Sequence, residues 1–326
     1  MRAVVLEEPG RLRAVEIPEP GEPPAGWALV RVRAVGVCGT DLHAFAGNQP
    51  FFAYPRVLGH ELGVEIVSVN DPMSGLPVGA MCAVRPYLEC GVCGACRQGK
   101  PNCCEALRVM GVHMDGGMAE LLHVPVDHLY DGEGLRFEQL ALIETLAIGR
   151  HAVSRSGIRQ GDRALVIGAG PIGLSVAISA QAVGAEVGVH DRSEGRLAFA
   201  GGISGVRAVT DVADFGAQVV FDATGSASSM QASFGIPLHG GKLVFVGLVQ
   251  SEIRFDDASF HARELTLLAT RNALPEDFAA LIPEVRAGTL RTEGWVNRRA
   301  KLEEAQERFA EWVNPASGCL KAMIEI

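Results

Sequence analysis

Four cysteines with the spacing C-x2-C-x2-C-x7-C are the densest set of metal-binding side chains in the sequence: Cys90, Cys93, Cys96 and Cys104. Zinc binds four thiolates tetrahedrally, and short C-x2-C steps let one loop surround the ion. The pattern therefore predicts a closed structural zinc site. Cys103 directly precedes Cys104, so the spacing leaves the last ligand open. An iron–sulfur cluster fits the spacing too, whereas disulfides are disfavoured because the N-terminus does not resemble a secretory signal and cytosolic thiols stay reduced.

A second set of metal-binding residue types is scattered along the sequence. Cys38 lies in Val-Cys-Gly-Thr-Asp-Leu-His, His60 and Glu61 follow about one strand later, and Glu144 comes much later. A thiolate, an imidazole and one or two carboxylates suit zinc and leave a position free for water or substrate. We predict an open, catalytic zinc site here. The sequence does not decide whether Glu61 or Glu144 completes it.

The third feature is a glycine-rich turn between an apolar strand and an apolar helix. Gly168-Ala-Gly170-Pro171-Ile172-Gly173 follows the run Ala164–Ile167. This context predicts a dinucleotide site, with the pyrophosphate at the helix N-terminus. Asp191 ends the next predicted strand, where an acid accepts bonds from the adenosine ribose, and this favours NAD over NADP. Arg192 weakens that preference because a guanidinium can pair with a 2′-phosphate.

Together these motifs resemble the zinc-dependent medium-chain dehydrogenases of the alcohol dehydrogenase superfamily. The anchors stand in family order: Cys38-Gly39-Thr40-Asp41, Gly59-His60-Glu61, the four-cysteine lobe, Asp115–Glu120, Glu144, Gly168-x-Gly170-x-x-Gly173 and Phe221–Gly225. Glu144 is typical of the polyol and threonine dehydrogenase branch, although Thr145 replaces the usual proline. The stretch Phe45–Arg56 is most similar to sugar-acid members of the L-galactonate or L-gulonate 5-dehydrogenase type.

The resemblance implies a role for further residues. Zinc held by Cys38 and His60 would lower the pKa of a substrate hydroxyl, hydride would pass to the nicotinamide, and Thr40 and His43 would relay the proton. The expected cofactor-binding residues are Gly168, Gly170, Pro171, Ile172, Gly173, Asp191, Arg192, Arg196, Thr224, Gly225 and Gly247. The substrate candidates are Asn48, His113, Arg271 and Asn272. Gln49 and Arg85 are further candidates to line the cleft, and the pair Phe51-Phe52 is expected in the core or in the cleft wall. Arg271 could pair with a substrate carboxylate, or it could form a surface or interdomain salt bridge instead.

The composition and the order of the predicted strands and helices indicate a two-domain α/β enzyme. The chain has 326 residues, of which 48% are hydrophobic, and a net charge of −9, which argues against nucleic-acid or membrane partners. We expect a mostly β catalytic domain with a GroES-like fold over residues 1–145, a doubly wound Rossmann domain over 146–272, and a return to the first domain over 273–326. Arg291–Lys301 and Cys319–Ile326 would complete the first domain's sheet. A cytoplasmic homodimer or homotetramer is expected.

One connection in the predicted Rossmann domain is unusually short. Only Asp211–Ala217 separate the expected third and fourth strands. In a 3-2-1-4 strand order this link must cross the sheet and return along it, which usually takes about a dozen residues or more. Seven extended residues reach roughly 23 Å. We predict that the crossover helix is missing or reduced to one turn.

Three functions fit the sequence. The leading hypothesis is an NAD-dependent dehydrogenase for a secondary alcohol of a polyol or sugar acid, with one catalytic and one structural zinc. The second is an L-threonine or short-diol dehydrogenase. The third is a non-catalytic nucleotide-binding protein that retains the fold, which the presence of Cys38, His60 and Glu61 disfavours.

Overall fold

The computed structural model describes residues 1–49, 52–132 and 134–326, so Phe51 of the predicted cleft wall lies outside the described residues. The chain divides into two compact units. Unit 1 contains residues Met1–Glu144, Leu274–Gly288 and Thr292–Ile326, and unit 2 contains Thr145–Ala273 and Thr289–Arg291. Among the described residues, no helix combines the length and apolar character that a membrane crossing requires.

The strands, in chain order, are β1 Arg2–Glu8, β2 Arg11–Glu16, β3 Trp27–Val37, β4 Arg56–Val57, β5 Glu61–Val69, β6 Met81–Val84, β7 Tyr87–Leu88, β8 Arg108–Val109, β9 Leu121–Pro125, β10 Leu129–Asp131, β11 Arg163–Ile167, β12 Glu186–His190, β13 Val206–Ala208, β14 Val219–Asp222, β15 Lys242–Phe245, β16 Thr266–Ala269, β17 Val296–Lys301 and β18 Lys321–Glu325.

The α-helices are α1 Gly39–Phe45, α2 Gly94–Arg97, α3 Phe137–Ser156, α4 Pro171–Ala182, α5 Glu194–Gly201, α6 Ala227–Ala232, α7 Asp257–Ala262, α8 Pro275–Arg286 and α9 Ala305–Trp312. Short 3₁₀ turns cover Pro101–Cys103, Val126–His128, Ser233–Gly235, Leu302–Glu304 and Pro315–Ser317.

Unit 1 is built around the long strand β3. Its burial alternates along the first half and becomes continuous towards Val37, as expected for a strand that enters the core. Strand β3 pairs antiparallel with β5, β9 and β18, and β18 pairs parallel with β17. The last strand of the chain therefore lies beside the strand that leads to Cys38.

The C-terminal return to this sheet was predicted for Arg291–Lys301 and Cys319–Ile326, and both segments contribute a strand to it. The first prediction starts too early, because β17 begins only at Val296. Gly294 has a φ of 80°, and Thr292 accepts a backbone hydrogen bond from Trp295. The chain therefore turns before it extends.

Unit 2, in which every residue is described, holds a parallel sheet with the strand order β13-β12-β11-β14-β15-β16. This is the doubly wound order in which nucleotides bind at the carboxyl ends of the central strands. Strand β11 is continuously apolar and almost fully buried after Arg163, as a central parallel strand should be. The predicted Rossmann architecture is confirmed.

The short crossover between β13 and β14 contains no helix, as predicted. The side chain of Phe215 covers the sheet where the crossover helix would otherwise pack. Its ring is 2% exposed and packs against the sheet together with Val209 and Ala217. Gly188 of β12 makes room for this ring, because a Cβ there would lie 2.7 Å from an atom of Phe215.

Candidate active site

Cys38 stands where β3 ends and α1 begins. It is the N-cap residue of α1, and its backbone N–H donates a 2.9 Å hydrogen bond to Oδ2 of Asp41. This local bond satisfies one of the amides left open at a helix start and fixes the turn that carries the thiol. Asp41, the fourth residue of the motif Cys-Gly-Thr-Asp, thus positions Cys38.

His60 and Glu61 are delivered by the start of β5. The preceding residue, Gly59, has a φ of 97°, a conformation that requires glycine. In the sheet, Glu61 pairs with Gly36 of β3, and a Cβ at Gly36 would lie 2.0 Å from Oε2 of Glu61. Gly36 is therefore needed for the Glu61 carboxylate to occupy its place.

The structure brings Cys38, His60 and Glu61 together. One ligand atom of each lies within 4.8 Å of the others, while Glu144 is not a member of this group among the residues that the structure describes. His60 is 5% and Glu61 1% exposed, and Cys38 is half-buried. A thiolate, an imidazole and a carboxylate at this separation are a donor set that fits zinc.

The electrostatics of this group also favour a cation. Burial lowers the pKa of His60, but the negative charges of Asp41 and Cys38 outweigh it, and the pKa lies well above the usual value. Burial raises the pKa of Asp41, whose side chain is fully buried. The negative charges around His60 therefore favour positive charge at this site. A bound Zn²⁺ supplies that charge.

Asp41 is one functional residue that the sequence prediction did not include. Its Oδ1 lies 3.7 Å from Nδ1 of His60, and neither atom has a hydrogen-bond partner among the described residues. A carboxylate behind a ligand histidine fixes its tautomer and ring orientation. The signal was available, because Asp41 belongs to the motif that carries Cys38.

The sequence did not predict a role for Lys321 or Tyr87, because the residues that they contact are distant in sequence. The ammonium of Lys321 contacts the Glu61 carboxylate, and the hydroxyl of Tyr87 donates a hydrogen bond to Oε1 of Glu144. Burial lowers the pKa of Lys321, but the charges of Glu61 and Cys38 raise it above the usual value. Burial, reinforced by the Glu144 charge, raises the pKa of Tyr87, which keeps its hydroxyl a donor.

The predicted proton-relay residues both lie on α1. Thr40 is half-buried, whereas His43 is exposed one turn further on. Nδ1 of His43 lies 2.9 Å from Oδ1 of Asn48, a predicted substrate residue. Nδ1 of His113, another substrate candidate, accepts a 3.1 Å hydrogen bond from the backbone N–H of Val109.

Two remaining unit 1 candidates are engaged with partners outside the zinc-ligand group. Arg85 is buried and binds Glu89 through Nη1 at 2.7 Å, so its charge is already paired. Phe52 packs edge-on against Tyr54 with the ring centroids 4.8 Å apart. The substrate candidates Arg271 and Asn272 belong to unit 2, where they follow β16.

The four-cysteine lobe gathers Cys90, Cys93, Cys96 and Cys104. The Sγ atoms of Cys93 and Cys96, and those of Cys90 and Cys104, are 3.5 Å apart. A disulfide needs about 2.05 Å, while four sulfurs about 2.3 Å from one zinc are separated by roughly 3.8 Å. The arrangement fits a tetrathiolate zinc site. Cys103 is exposed and outside the group, so geometry favours Cys104 as the last ligand.

The glycine-rich turn of unit 2 has the geometry of a phosphate-binding loop. Gly168 has a φ of 100°, and Gly170 is the N-cap of α4, whose first residue is Pro171. A Cβ at Gly173 would lie 1.7 Å from the carbonyl oxygen of Gly168. The third glycine thus permits close packing of helix and strand, and the second leaves the backbone open towards a ligand.

A pocket of about 370 Å³ opens at this turn. Six predicted cofactor residues line it: Gly168, Gly170, Asp191, Arg192, Arg196 and Thr224. The lining also includes residues that were not predicted: His190, Ser226, Ser228 and Ser229. Gly225 and Gly247 instead pack against each other, since a Cβ at Gly247 would lie 2.5 Å from the Gly225 nitrogen.

Asp191, which lines this pocket, is held in place by two backbone hydrogen bonds. Its Oδ2 accepts a 2.7 Å hydrogen bond from the backbone N–H of Ala169, and Oδ1 accepts one of 2.7 Å from the backbone N–H of Ser193. Each carboxylate oxygen has a second acceptor position, so Asp191 can still accept bonds from a ribose. Its negative charge cannot swing away from the pocket.

Comparison with known proteins agrees with both sites. Residues 24–133 match the family model of the alcohol dehydrogenase GroES-like domain, and residues 171–287 match that of the zinc-binding dehydrogenases. The chain is 42% identical to the L-galactonate-5-dehydrogenase of Escherichia coli K12 over 325 residues, and this alignment covers 94% of the chain and 95% of that protein. The chain belongs to the zinc-type alcohol dehydrogenase family.

Solved structures of this family carry the expected cofactors. A structure from Escherichia coli CFT073 complexed with NADH is 26% identical, with a TM-score of 0.91 over 100% of this chain and 99% of that one. A zinc-binding dehydrogenase of Sinorhizobium meliloti 1021 bound to NADP is 29% identical, with a TM-score of 0.89 over the same shares. This zinc-type dehydrogenase is therefore an oxidoreductase with a GroES-like and a Rossmann domain, as the sequence predicted.

Proposed function

We propose that this dehydrogenase oxidises a secondary alcohol of a polyol or sugar acid and transfers the hydride to NAD. The observation that carries the proposal is the group of Cys38, His60 and Glu61, whose ligand atoms lie within 4.8 Å of one another. The relative at 42% identity, an L-galactonate-5-dehydrogenase, supports a sugar acid as the substrate.

Cys38, His60 and a glutamate hold the catalytic zinc in this proposal, with Glu61 rather than Glu144 in the first ligand group. Zinc, when bound, acts as a Lewis acid that lowers the pKa of the substrate hydroxyl. Asp41 keeps the imidazole of His60 oriented for binding. Lys321 balances the charge of Glu61. The lobe of four cysteines holds the second, structural zinc.

The proton released by the substrate leaves through α1. The Thr40 hydroxyl accepts it and passes a proton on to His43, which is exposed and returns it to solvent. With Oδ1 of Asn48 as acceptor at 2.9 Å, His43 carries its own proton on Nδ1 and is left with Nε2 to receive another. Asn48 thus supports the relay.

Asp191 supports NAD as the preferred nucleotide. Two backbone amides hold its carboxylate in the pocket, where it repels a 2′-phosphate. Arg192 and Arg196 line the same pocket and reduce that repulsion. NADP is therefore accepted weakly rather than excluded. Arg271 is our candidate to pair with the carboxylate of a sugar acid.

We further propose a homodimer in the cytoplasm. Strand β16 is the edge of the unit 2 sheet, and its residues Thr266, Leu267 and Ala269 are exposed. An exposed edge with an apolar side chain is a surface that proteins usually cover. A second copy pairing with this edge would form a closed, two-fold interface. The four gathered thiols suit a reducing compartment.

The test is NADH formation by protein of known zinc content, with NAD or NADP and a panel of aldonates, hexitols, L-threonine and short diols. We expect an aldonate to be oxidised with NAD, and Cys38→Ser to abolish the activity. Cys103→Ser is the matched control, because this exposed thiol lies outside both ligand groups. Light scattering on the same protein and on Leu267→Asp tests the dimer.

Each alternative has its own outcome. Oxidation of threonine or a diol alone would replace the substrate class but keep the zinc mechanism. No activity with both zinc sites filled would refute the substrate panel, whereas no zinc bound at Cys38 would favour a non-catalytic protein. A light-scattering mass of one chain would refute the dimer.

A further inference from the structure

Tyr87 and Glu144 form a buried contact that the proposed chemistry does not use. The Tyr87 hydroxyl donates a hydrogen bond to Oε1 of Glu144. Tyr87 is 2% and Glu144 5% exposed, so water does not compete for the bond. Tyr87 lies on β7, and Glu144 lies on α3. The contact therefore fixes a helix carboxylate from a separate strand.

The position of the Tyr87 hydroxyl is determined on several sides. Its ring packs edge-on against Phe278 of α8, with the centroids 6.1 Å apart. Its carbonyl oxygen accepts a 3.0 Å hydrogen bond from Nη1 of Arg85, and it pairs with Val109 in the two-stranded ladder of β7 and β8. With ring and backbone both held, the hydroxyl presents a fixed donor to Glu144.

The two candidate acidic ligands are stabilised in different ways. Lys321, a cation, contacts Glu61 and neutralises its charge. Glu144 is instead held by the neutral hydroxyl of Tyr87, which donates a hydrogen bond but supplies no positive charge. A buried carboxylate with a neutral donor is strongly attracted to any nearby cation.

We propose that Tyr87 is a positioning residue that holds Glu144 short of the catalytic zinc and thereby keeps one coordination position open for the substrate. The proposal rests on the zinc site of the proposed function. Glu144 lies outside the group formed by Cys38, His60 and Glu61, so its carboxylate would have to move to bind the metal, and the fixed Tyr87 hydroxyl opposes that movement. Replacing Tyr87 by phenylalanine removes this restraint and lets Glu144 bind the ion.

The test uses the full-length protein with Co²⁺ in place of Zn²⁺, because the intensity of the cobalt d–d bands reports its coordination geometry. Spectra are compared between variants, so that the unchanged contribution of the cysteine lobe cancels. Tyr87→Phe should weaken the bands, as a further ligand binds, and slow the loss of cobalt to a chelator. The matched control is Tyr130→Phe, which removes another hydroxyl from the cluster around Phe278.

Glu144→Gln tests the proposal independently of how Tyr87→Phe folds. It should leave the bands of the wild type unchanged, because Glu144 is not a ligand at rest. In the double variant Tyr87→Phe/Glu144→Gln, the loss of the hydroxyl should no longer weaken the bands. In the active protein, Tyr87→Phe should lower kcat/KM about tenfold, the size expected for a hydrogen bond to a charged group.

Three results would overturn the proposal: unchanged bands in Tyr87→Phe, an equal change in Tyr130→Phe, or altered bands in Glu144→Gln alone. None of these readouts needs a substrate. A wrong substrate class would leave the spectra interpretable, whereas a chain that binds no cobalt at Cys38 would refute the zinc site itself.

Discussion

Lys321 and Glu61 form an ion pair between residues 260 positions apart, with Nζ 2.5 Å from Oε1 of the carboxylate. The two side chains are 2% and 1% exposed. Strand β18 brings Lys321 there, because its next residue, Ala322, pairs with Val37, the residue before Cys38. Strand β18 thus adds a buried cation to the metal site formed by residues from the N-terminal part of the chain.

Removing the cation should strongly destabilise the protein. Lys321→Met leaves the Glu61 carboxylate buried without its partner, which costs about 3–5 kcal/mol of unfolding free energy. Urea unfolding of the metal-free protein measures this. Lys301→Met, on the exposed side of the neighbouring strand β17, should have little effect. The double variant Glu61→Gln/Lys321→Met should recover much of the loss, and an equal loss in it would contradict the ion-pair explanation.

The same ion pair predicts a loss of stability at high pH. The folded-state pKa of Lys321 is raised above its usual 10.5 because the charges of Glu61 and Cys38 outweigh burial. A raised pKa means that the folded state holds the proton more tightly, so the contribution is complete below pH 10.5 and is lost as pH rises through the folded-state pKa. The stability difference between wild type and Lys321→Met should therefore shrink above that pH. A constant difference would contradict this assignment.

What the sequence could predict depends on how far apart the interacting residues lie. The cysteine lobe and the glycine-rich turn are each contained in one short stretch, so their spacing alone indicates a zinc site and a nucleotide site. The missing crossover helix could be predicted from chain length. The contacts of Lys321 with Glu61 and of Tyr87 with Glu144 could not be predicted, because they depend on strand order and helix packing. A lysine in an apolar C-terminal strand was the one available signal.

Substitution by alanine at Gly170 and at Gly173, the two glycines at the start of α4, should have different effects. A Cβ at Gly173 would lie 1.7 Å from the Gly168 carbonyl, so Gly173→Ala should lower the melting temperature and disrupt the turn. A Cβ at Gly170 would have only Nη1 of Arg196 nearby, at 3.9 Å, so Gly170→Ala should fold normally. It should still weaken NAD binding at least about tenfold, because the methyl group occupies the space of the pyrophosphate. Calorimetric melting and NAD titration separate the two, and unaltered NAD affinity in Gly170→Ala would place the phosphates elsewhere.

Removing zinc from the cysteine lobe should leave the thiol of Cys93 far more reactive than that of Cys96. Backbone hydrogen bonds lower the pKa of Cys93 to about 6, while loss of hydration raises that of Cys96 to about 12. A lowered pKa means that the Cys93 thiolate is present at neutral pH and is protonated as pH falls through about 6. In zinc-stripped protein, maleimide should therefore modify Cys93 before Cys96, with a rate that falls below about pH 6. Peptide mass spectrometry locates the label, restored zinc should protect both thiols, and earlier labelling of Cys96 would refute the assignment.

Phe215 should carry much of the stability of unit 2, because it fills the place of the missing crossover helix. Its ring is 2% exposed, packs in the cluster with Val209 and Ala217, and lies under the Arg207 guanidinium at 5.0 Å. Phe215→Ala should cost about 3–5 kcal/mol, the range for a buried aromatic side chain. Phe255→Ala, in the same unit but 44% exposed, is the control and should cost far less. Denaturant unfolding followed by loss of NAD binding reports unit 2 directly. Equal costs for the two variants would mean that the shortened crossover, rather than this ring, covers the sheet.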